Sequence, residues 1–570
     1  MKLLAAFSLL VSSKLTLATF PSCRCVYGDK CWPSATQFTQ LESKLSQPLI
    51  YPRPSGAVCY PTSNPSGNCS GLVDTWTDGN WRADQPGAME APNFETYAFK
   101  NGTIDACYAN VTLGVPCGQG SVPVIGVDAR GVADIQAAVQ FAVKYDVRLV
   151  VKNTGHDYLG RSAARGAFVV WTHNMKNITY NASFVPQGAP SHETYNAITL
   201  GAGVQWHEAY AAANAQGRIM VGGASAGGSV GAAGGWVLGG GHSALSPTYG
   251  LGVDNVVEMT VVLSTGEYLT VNSHQHPDLF WAMRGGGGGT YGILTSVTYR
   301  TYPSLPVQAA LFSANATNPT VMNTLMTELM RIHPALSDAG WSGYGSASNS
   351  SLFFAYMKPN GTVAQLNESF HSFVVFAQNL TSQGLSIVTK PVYEDTWYEF
   401  YSTYLSGGVE NGGNTMLGSR LIPRETLEKN SKELTNILLP INLSWNFVAG
   451  GKVSKIDPNS AGVNPAWRKA IIHLTFGIAW PFGASSQEID GMIDILKAKE
   501  KALRDLTPES GAYFNEASLY EENWQYTFFG THYPALKAIK DKYDPHGLFV
   551  VAEGVGSEDW DSDLNCRKWW

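Results

Sequence analysis

Three stretches of this chain carry residue types that could do chemistry. The first is VKNTGHDYLGRS, Val151 to Ser162, which sets His156 and Tyr158 in a glycine-flanked turn directly after the apolar run RLVV. An imidazole displayed there is either a buried residue closing a loop or a group offered to a metal, a substrate or a cofactor. Neutral histidine serves as base, ligand and nucleophile. The second stretch, GGASAGGSVGAAGGWVLGGGHS, covers residues 222–243 and ends in His242-Ser243. The third is Arg284 followed by the run Gly285 to Gly289. A glycine run alone serves equally well as a flexible turn. The three together read differently, because backbone N–H groups of such loops form nests for a pyrophosphate. No G-x-x-x-x-G-K-[ST] occurs, which excludes a P-loop. No fragment of 222–243 makes a strand–GxGxxG–helix unit with an acidic residue about twenty positions on, which argues against a nicotinamide Rossmann site.

The elements that must position these stretches follow from periodicity. PVIGV reads as a strand, Ala133 to Lys144 has Ile135, Val139 and Ala142 at helical spacing, and RLVVK is a second strand. This β-α-β unit delivers His156 in the turn after its second strand, where ligands of such folds bind. FVVW (168–171) and AITLGAG (197–203) add strands, and WHEAYAAANAQG reads as a helix with Gly217 at its C-cap. NVVEMTVVLSTGEYLTV is a hairpin turning on Ser264-Thr265-Gly266. From about residue 301 the texture changes. Helices are expected over Val321 to Ile332, Ser369 to Leu380 and Ile489 to Leu506, with strands such as LFFAYM and AIIHLTFGIAW between them.

Composition sets outer bounds. The 570 residues suffice for two or three domains, and 44% hydrophobic against 15% charged residues describe a globular chain. A formal net charge of −7 without a basic stripe leaves nucleic acid no footing. The opening MKLLAAFSLLVSSKLTLA has a lysine, an apolar run and a small-residue end, the pattern of a signal peptide over residues 1–18. The 8 cysteines suit an oxidising compartment. Cys59–Cys69 and Cys107–Cys117 are expected as local pairs, and Cys566 is expected to join one of Cys23, Cys25 and Cys31. Zinc at the Cys23-x-Cys25 pair is the competing reading, without a matching histidine cluster. Sequons at Asn101, Asn110, Asn177, Asn181, Asn315, Asn360, Asn367, Asn379 and Asn442 suit an exported glycoprotein.

The motifs also carry a resemblance. KNTGHDYLGRS, GAAGGWVLGGGHSALSPTYGLGVDNV, DLFWAMRGGGGGTYGILTSV, NPAWR (464–468), YFNEA (513–517), YDPHGLF and GVGSEDW occur in order. From about Cys23 onward the chain resembles the secreted fungal FAD-linked oxidases of the vanillyl-alcohol oxidase superfamily, in their berberine-bridge-enzyme-like and isoamyl-alcohol-oxidase-like branch. The resemblance implies an α+β two-domain flavoprotein. A PCMH-type FAD-binding domain would span 19–300 and return at 511–570. A substrate domain, an antiparallel sheet backed by helices, would span 301–510.

It further implies FAD held by one covalent bond from His156 to the 8α-methyl. Lys152, Asn153, Thr154, Gly155, Asp157 and Gly160 would support the cofactor from the same turn. Ser229, Val230, Gly231, Gly234, Gly235, Gly240, Gly241 and His242 would do so from the glycine-rich loop, and Asn515 from the tail. Many relatives add a cysteinyl link in a C-P-[ST]-V-G turn. The matching residues here are Gly227-Gly228-Ser229-Val230-Gly231, so that second link is expected to be absent. Val230 matches the position governing oxygen access, and valine there implies an oxidase. Tyr158, Tyr513 and Asn515 match positions beside the ring system and, with Val230, are the candidate catalytic residues. For a general base the substrate domain offers His473, Glu394 and Tyr398, none of them singled out.

The implied reaction moves hydride from an alcohol or secondary metabolite to FAD, which dioxygen reoxidises to give hydrogen peroxide. A carbohydrate oxidase and a non-catalytic flavin-binding scaffold are the rivals. The expected partners are a small-molecule substrate, dioxygen and N-linked glycans. No nucleic acid, membrane span or metal is expected.

Overall fold

The computed structural model describes residues 23–568 apart from 410 and 440–442, so the expected leader at 1–18 lies outside the described residues. Three larger sheets organise the chain. The first has the strand order Leu49–Ile50, Ile125–Asp128, Phe168–Trp171, Leu149–Lys152. The last three strands are parallel and the first is an antiparallel edge. Parallel neighbours need a crossover. Helix Val132–Tyr145 supplies it and buries Ile135, Ala138, Val139 and Ala142. The β-α-β unit is therefore present, but its two strands are not direct neighbours. FVVW, buried at every position, takes the place between them, as an all-apolar strand does.

The second sheet is antiparallel, in the order Tyr268–Asn272, Val256–Val262, Ile293–Arg300, Tyr195–Gly201, Ile178–Phe184. The expected hairpin is its first pair. Helix Trp206–Asn214 ends earlier than Gly217 suggests: Ala215 is the cap and remains right-handed. Gly217, at φ +65°, closes the following turn by donating to the Asn214 carbonyl.

The third sheet has seven antiparallel strands: Leu385–Glu394, Val307–Ala316, Ser351–Pro359, Ser342–Ala347, Leu443–Phe447, Ala470–Trp480 and Asn414–Pro423. Helices Pro319–Asp338, Val363–Asn379, Ser431–Leu438 and Ser486–Leu506 cover one face. The first of them runs past the expected Ile332 because His333, Pro334 and Leu336 remain buried. Side chains alternate across a strand. In Ala470–Trp480 this sends Ile472, Leu474, Phe476 and Ile478 into the helix-backed core and leaves His473, Thr475 and Ala479 on the other face.

After helix Ser486–Leu506 the chain returns to the core that the five-stranded sheet shares. Tyr513, Phe514, Phe528 and Phe529 pack there with Trp206, Trp236 and Tyr299. Disulfides Cys23–Cys566, Cys25–Cys31, Cys59–Cys69 and Cys107–Cys117 use all eight cysteines. Both local pairs are as expected, and Cys566 takes Cys23. Pairing of Cys25 removes the thiolates a zinc ion would need. Among the described residues no helix is long and apolar enough to cross a membrane.

Two motifs meet in a buried ion pair. Both guanidinium ends of Arg468, from NPAWR, donate to the carboxylate of Asp254, from GLGVDN, at 2.8 Å. Both side chains are 4% exposed. Removing one partner leaves the other charge buried and uncompensated. Arg468→Ala should therefore cost about 3–5 kcal/mol, read as a lowered unfolding midpoint in scanning calorimetry. Arg468→Ala with Asp254→Ala should be less damaging than the single change.

A second cluster is acidic. Burial, then the Glu521 charge, pushes the Glu500 carboxyl up to about 8. Burial, then Glu521 and Glu500, pushes Glu553 up to about 9. These groups keep protons in the folded chain that the unfolded chain releases above the ordinary carboxylate range. The stability they contribute is thus complete in acid and is lost as pH rises towards those values. Glu500→Gln should raise the thermal midpoint near pH 8 and leave it unchanged near pH 4. Equal shifts at both pH values would contradict this.

Candidate active site

A cavity of about 760 Å³ lies against the uncovered face of the seven-stranded sheet. Its other walls are the turn after Leu149–Lys152, the glycine-rich loop, and Gly288–Gly289 of the five-glycine run. The sheet presents Tyr344, Ser346, Thr415, Ser444, Asn446 and Thr475 to it. Bulky apolar partners at alternate positions, such as Trp445 and Phe476, point to the helices instead.

The turn bends at Gly155, whose φ is +81° and where a Cβ would lie 2.9 Å from the Ala88 carbonyl oxygen. Only glycine fits both conditions. His156 follows, its ring edge-on to Tyr158 at 5.7 Å. Burial pulls the His156 imidazole down to about 4, with Glu516 and then Asp157 pulling the other way. It is therefore neutral near pH 7. Asp157 holds the turn by accepting from Arg161 Nε at 2.7 Å. Arg161 also donates to Asn515 Oδ1 at 3.2 Å and lies over the Phe514 ring at 4.8 Å.

In the glycine-rich loop Gly227 and Gly228 are both left-handed, at φ +62°. Gly227 donates its N–H to the Ser406 carbonyl at 2.8 Å, and a Cβ there would press on Asn80 Nδ2 at 2.8 Å. At Gly228 it would meet the Tyr401 hydroxyl at 2.5 Å. Gly235 differs: a Cβ there meets nothing within 4 Å, because the residue faces the cavity.

The tail closes the site. Asn515 Nδ2 donates to the carbonyls of Gly235 and Trp236, each at 3.0 Å, and contacts the Tyr513 hydroxyl at 2.7 Å. That hydroxyl also accepts from Gly241 N–H at 3.1 Å. Burial, reinforced by Glu516, pushes the Tyr513 phenol well above its ordinary range. Glu516 Oε1 accepts from His242 Nε2 at 3.1 Å. Its Oε2 lies 3.5 Å from His473 Nδ1, but that nitrogen already accepts from Asn446 Nδ2 at 3.0 Å. His473 therefore has no lone pair there for a cation, and the two histidines and the carboxylate read as a hydrogen-bonded network. Burial holds the Glu516 carboxyl up, yet His242 and then His473 outweigh it and bring it down to about 2. Burial pushes His473 down to about 3.

Of the residues singled out from sequence, Asn153, Thr154, Gly155, His156, Asp157 and Tyr158 line the cavity from the turn. Val230, Gly231, Gly234, Gly235 and His242 line it from the loop, and Tyr513 and Asn515 from the tail. Lys152, Gly160, Ser229, Gly240 and Gly241 do not form its wall. Lys152 runs beneath the turn and donates to the Gln85 carbonyl at 3.0 Å. A Cβ on Gly160 would meet Phe94. Gly240 and Gly241 pass behind Tyr513 and Trp236. Among the base candidates, His473 sits behind Glu516, and Glu394 and Tyr398 are outside the wall. Sequence reasoning missed Arg161, Glu516, Tyr344 and Asn446. Glu516 stood inside the motif YFNEA, but nothing local marks it as facing a histidine.

Comparison with known proteins follows the same lines. Residues 124–272 match the family model described as FAD binding domain, and residues 512–556 match Berberine and berberine like. An uncharacterized FAD-linked oxidoreductase of Arthroderma benhamiae is 38% identical, over 96% of each chain. The VAO-type flavoprotein oxidase VAO615 of Thermothelomyces thermophilus is 33% identical, over 96% of this chain and 95% of that one. The crystal structure of VAO-type flavoprotein MtVAO713 from Myceliophthora thermophila C1 superposes with a TM-score of 0.88 at 28% identity, covering 96% of this chain and all of that one.

The cavity fits FAD in kind. It offers a neutral imidazole, a glycine-lined wall and, on a wall residue, a buried polar atom without a hydrogen-bond partner in the protein, Asn153 Oδ1. Gly235→Ala should leave the unfolding midpoint unchanged while lowering the flavin absorbance per mole of protein, since its methyl meets only the cofactor's space. Asn515→Ala should instead cost about 1–3 kcal/mol of stability through the carbonyls it leaves unpaired.

Proposed function

The chain belongs to the VAO-type, berberine-like FAD-linked oxidoreductases, and on that premise we propose that it is an exported flavoprotein oxidase. It takes hydride from an alcohol or secondary-metabolite donor, passes the electrons to dioxygen and releases hydrogen peroxide. The observation that carries this reading is the neutral, half-buried His156 at the wall of the cavity, opposite a glycine-rich loop with left-handed Gly227 where relatives carry cysteine. When bound, FAD supplies the electron chemistry. His156 tethers it through one covalent bond. Gly227 offers no thiol for a second, and its positive φ would strain a cysteine. Asn153, Thr154 and Gly155, with Gly231, Gly234 and Gly235, would cradle the cofactor. Tyr158, Tyr513 and Asn515 would border its ring system, and Val230 would stand at the approach of dioxygen. The cofactor unit comprises residues 19–300 and 511–570 on this reading, and the substrate unit 301–510.

Export is supported by the four disulfides, by the signal-like start, and by exposure of the sequon asparagines Asn101, Asn110, Asn177, Asn181, Asn315, Asn360, Asn367 and Asn379. One observation favours a carbohydrate donor as the second reading. The cavity shares Ser346, Phe353, Thr415, Ser444 and Thr475 with an adjoining groove of about 590 Å³ along the sheet. That hydroxyl-lined extension suits a longer, polar donor.

Three measurements test the proposal. Denaturing-gel fluorescence should find flavin on the protein, and His156→Ala should release it on denaturation. Loss of flavin from the wild type on acid precipitation would refute the tether. A peroxide-release screen of alcohols, sugars and phenols should find a donor and choose between the two readings. Val230→Leu should keep anaerobic flavin bleaching by that donor and slow reoxidation by air in stopped-flow. Unchanged reoxidation in a folded variant would remove the gatekeeping role.

A further inference from the structure

We infer that His242 is the proton acceptor of this site, through Nδ1, and that Glu516 is the positioning residue that fixes its tautomer. The inference rests on the oxidase reading above and supplies the base that reading lacks. His242 lines the cavity and is 7% exposed. Its Nε2 is 3.1 Å from Glu516 Oε1. A carboxylate can only accept, so the imidazole proton resides on Nε2 and the lone pair on Nδ1. Nδ1 is buried and has no hydrogen-bond partner in the protein. A buried, unpartnered acceptor, here on a residue of the cavity wall, costs free energy until a partner reaches it. A donor hydroxyl would fill it. This is the logic by which a carboxylate orients an imidazole base and stabilises the imidazolium it becomes.

The other titratable groups around His242 are each disqualified. Tyr513, from the tail, has its ring 5.4 Å away. Its oxygen accepts from Gly241 and Asn515, and its phenol stays protonated. His473, from the sheet, has its ring 5.3 Å away but forms no part of the cavity wall, and Asn446 occupies its Nδ1. Glu516 is ionised and already accepts from His242, which leaves it a weak base. His156, also at the cavity wall, is assigned to the tether.

The step balances. The donor O–H bond breaks and its proton bonds to His242 Nδ1. The oxygen electron pair forms the carbonyl as the C–H bond breaks, and that hydrogen leaves with its electron pair to FAD. The donor is oxidised by two electrons and FAD reduced by two. The imidazolium beside Glu516 then returns its proton towards the peroxide or solvent.

Two measurements test this. In the first, holoprotein labelled with 15N-histidine is examined by NMR, with His242→Gln assigning the signal. His242 should show a protonated Nε2 and a bare Nδ1, and Glu516→Gln should abolish that single tautomer. A proton on Nδ1, or a spectrum indifferent to Glu516→Gln, overturns the proposal. In the second, anaerobic flavin reduction by the donor found in the peroxide screen is followed against pH. His242→Gln should slow it by about 10²–10⁴-fold and flatten the profile, Glu516→Gln should move the profile to higher rate at lower pH relative to its own maximum, and Glu516→Asp should restore part of the wild-type shape. Equal rates in wild type and a folded His242→Gln refute the assignment. Should no donor bleach the flavin, the oxidase reading falls, and the tautomer measurement still decides the pairing.

Discussion

Asn515 makes three distant stretches of chain agree. Its carbonyl oxygen accepts from Arg161, which braces the turn bearing His156. Its amide nitrogen holds the carbonyls of Gly235 and Trp236, which shape the glycine-rich loop. A side-chain amide carries two donor hydrogens and a separate acceptor oxygen at the same end. An aspartate would repel the two carbonyls, and an alanine would leave them unpaired in a buried place. The tail is thereby tied to both the turn and the glycine-rich loop at the cavity wall. The Cys23–Cys566 bond acts in the same sense, since it holds both chain ends to the body that the tail must enter.

Low polarity inside the cavity wall governs the charge states. His156 and His473 are uncharged because burial disfavours their cations more than Glu516 favours them. Glu516 keeps its charge because the interaction with His242, hydrogen bond included, and then with His473 outweighs its burial.

The third sheet does its work through alternation. One face supplies large apolar side chains to the helices, and the other supplies hydroxyls and amides to the cavity and its groove. The cavity-facing side chains and the helix-backed core therefore lie on opposite faces of the same strands.

Sequence by itself determined a good deal. AIIHLTFGIAW was legible as a strand carrying His473. The cysteine spacing marked two local bridges, and the glycine-dense loops marked an anion-binding cofactor site beside His156. These are local properties, written in period, turn chemistry and composition. What only the tertiary structure decided was which groups meet. Arg468 finds Asp254, Asn515 finds Arg161, and Glu516 finds His242 across a sequence separation of 274. Lys152 and Gly160, beside His156 in sequence, are turned out of the cavity wall. The physical reason is that burial, hydrogen-bond partners and the resulting charge state belong to pairs of residues from different elements. No window of the chain contains both members.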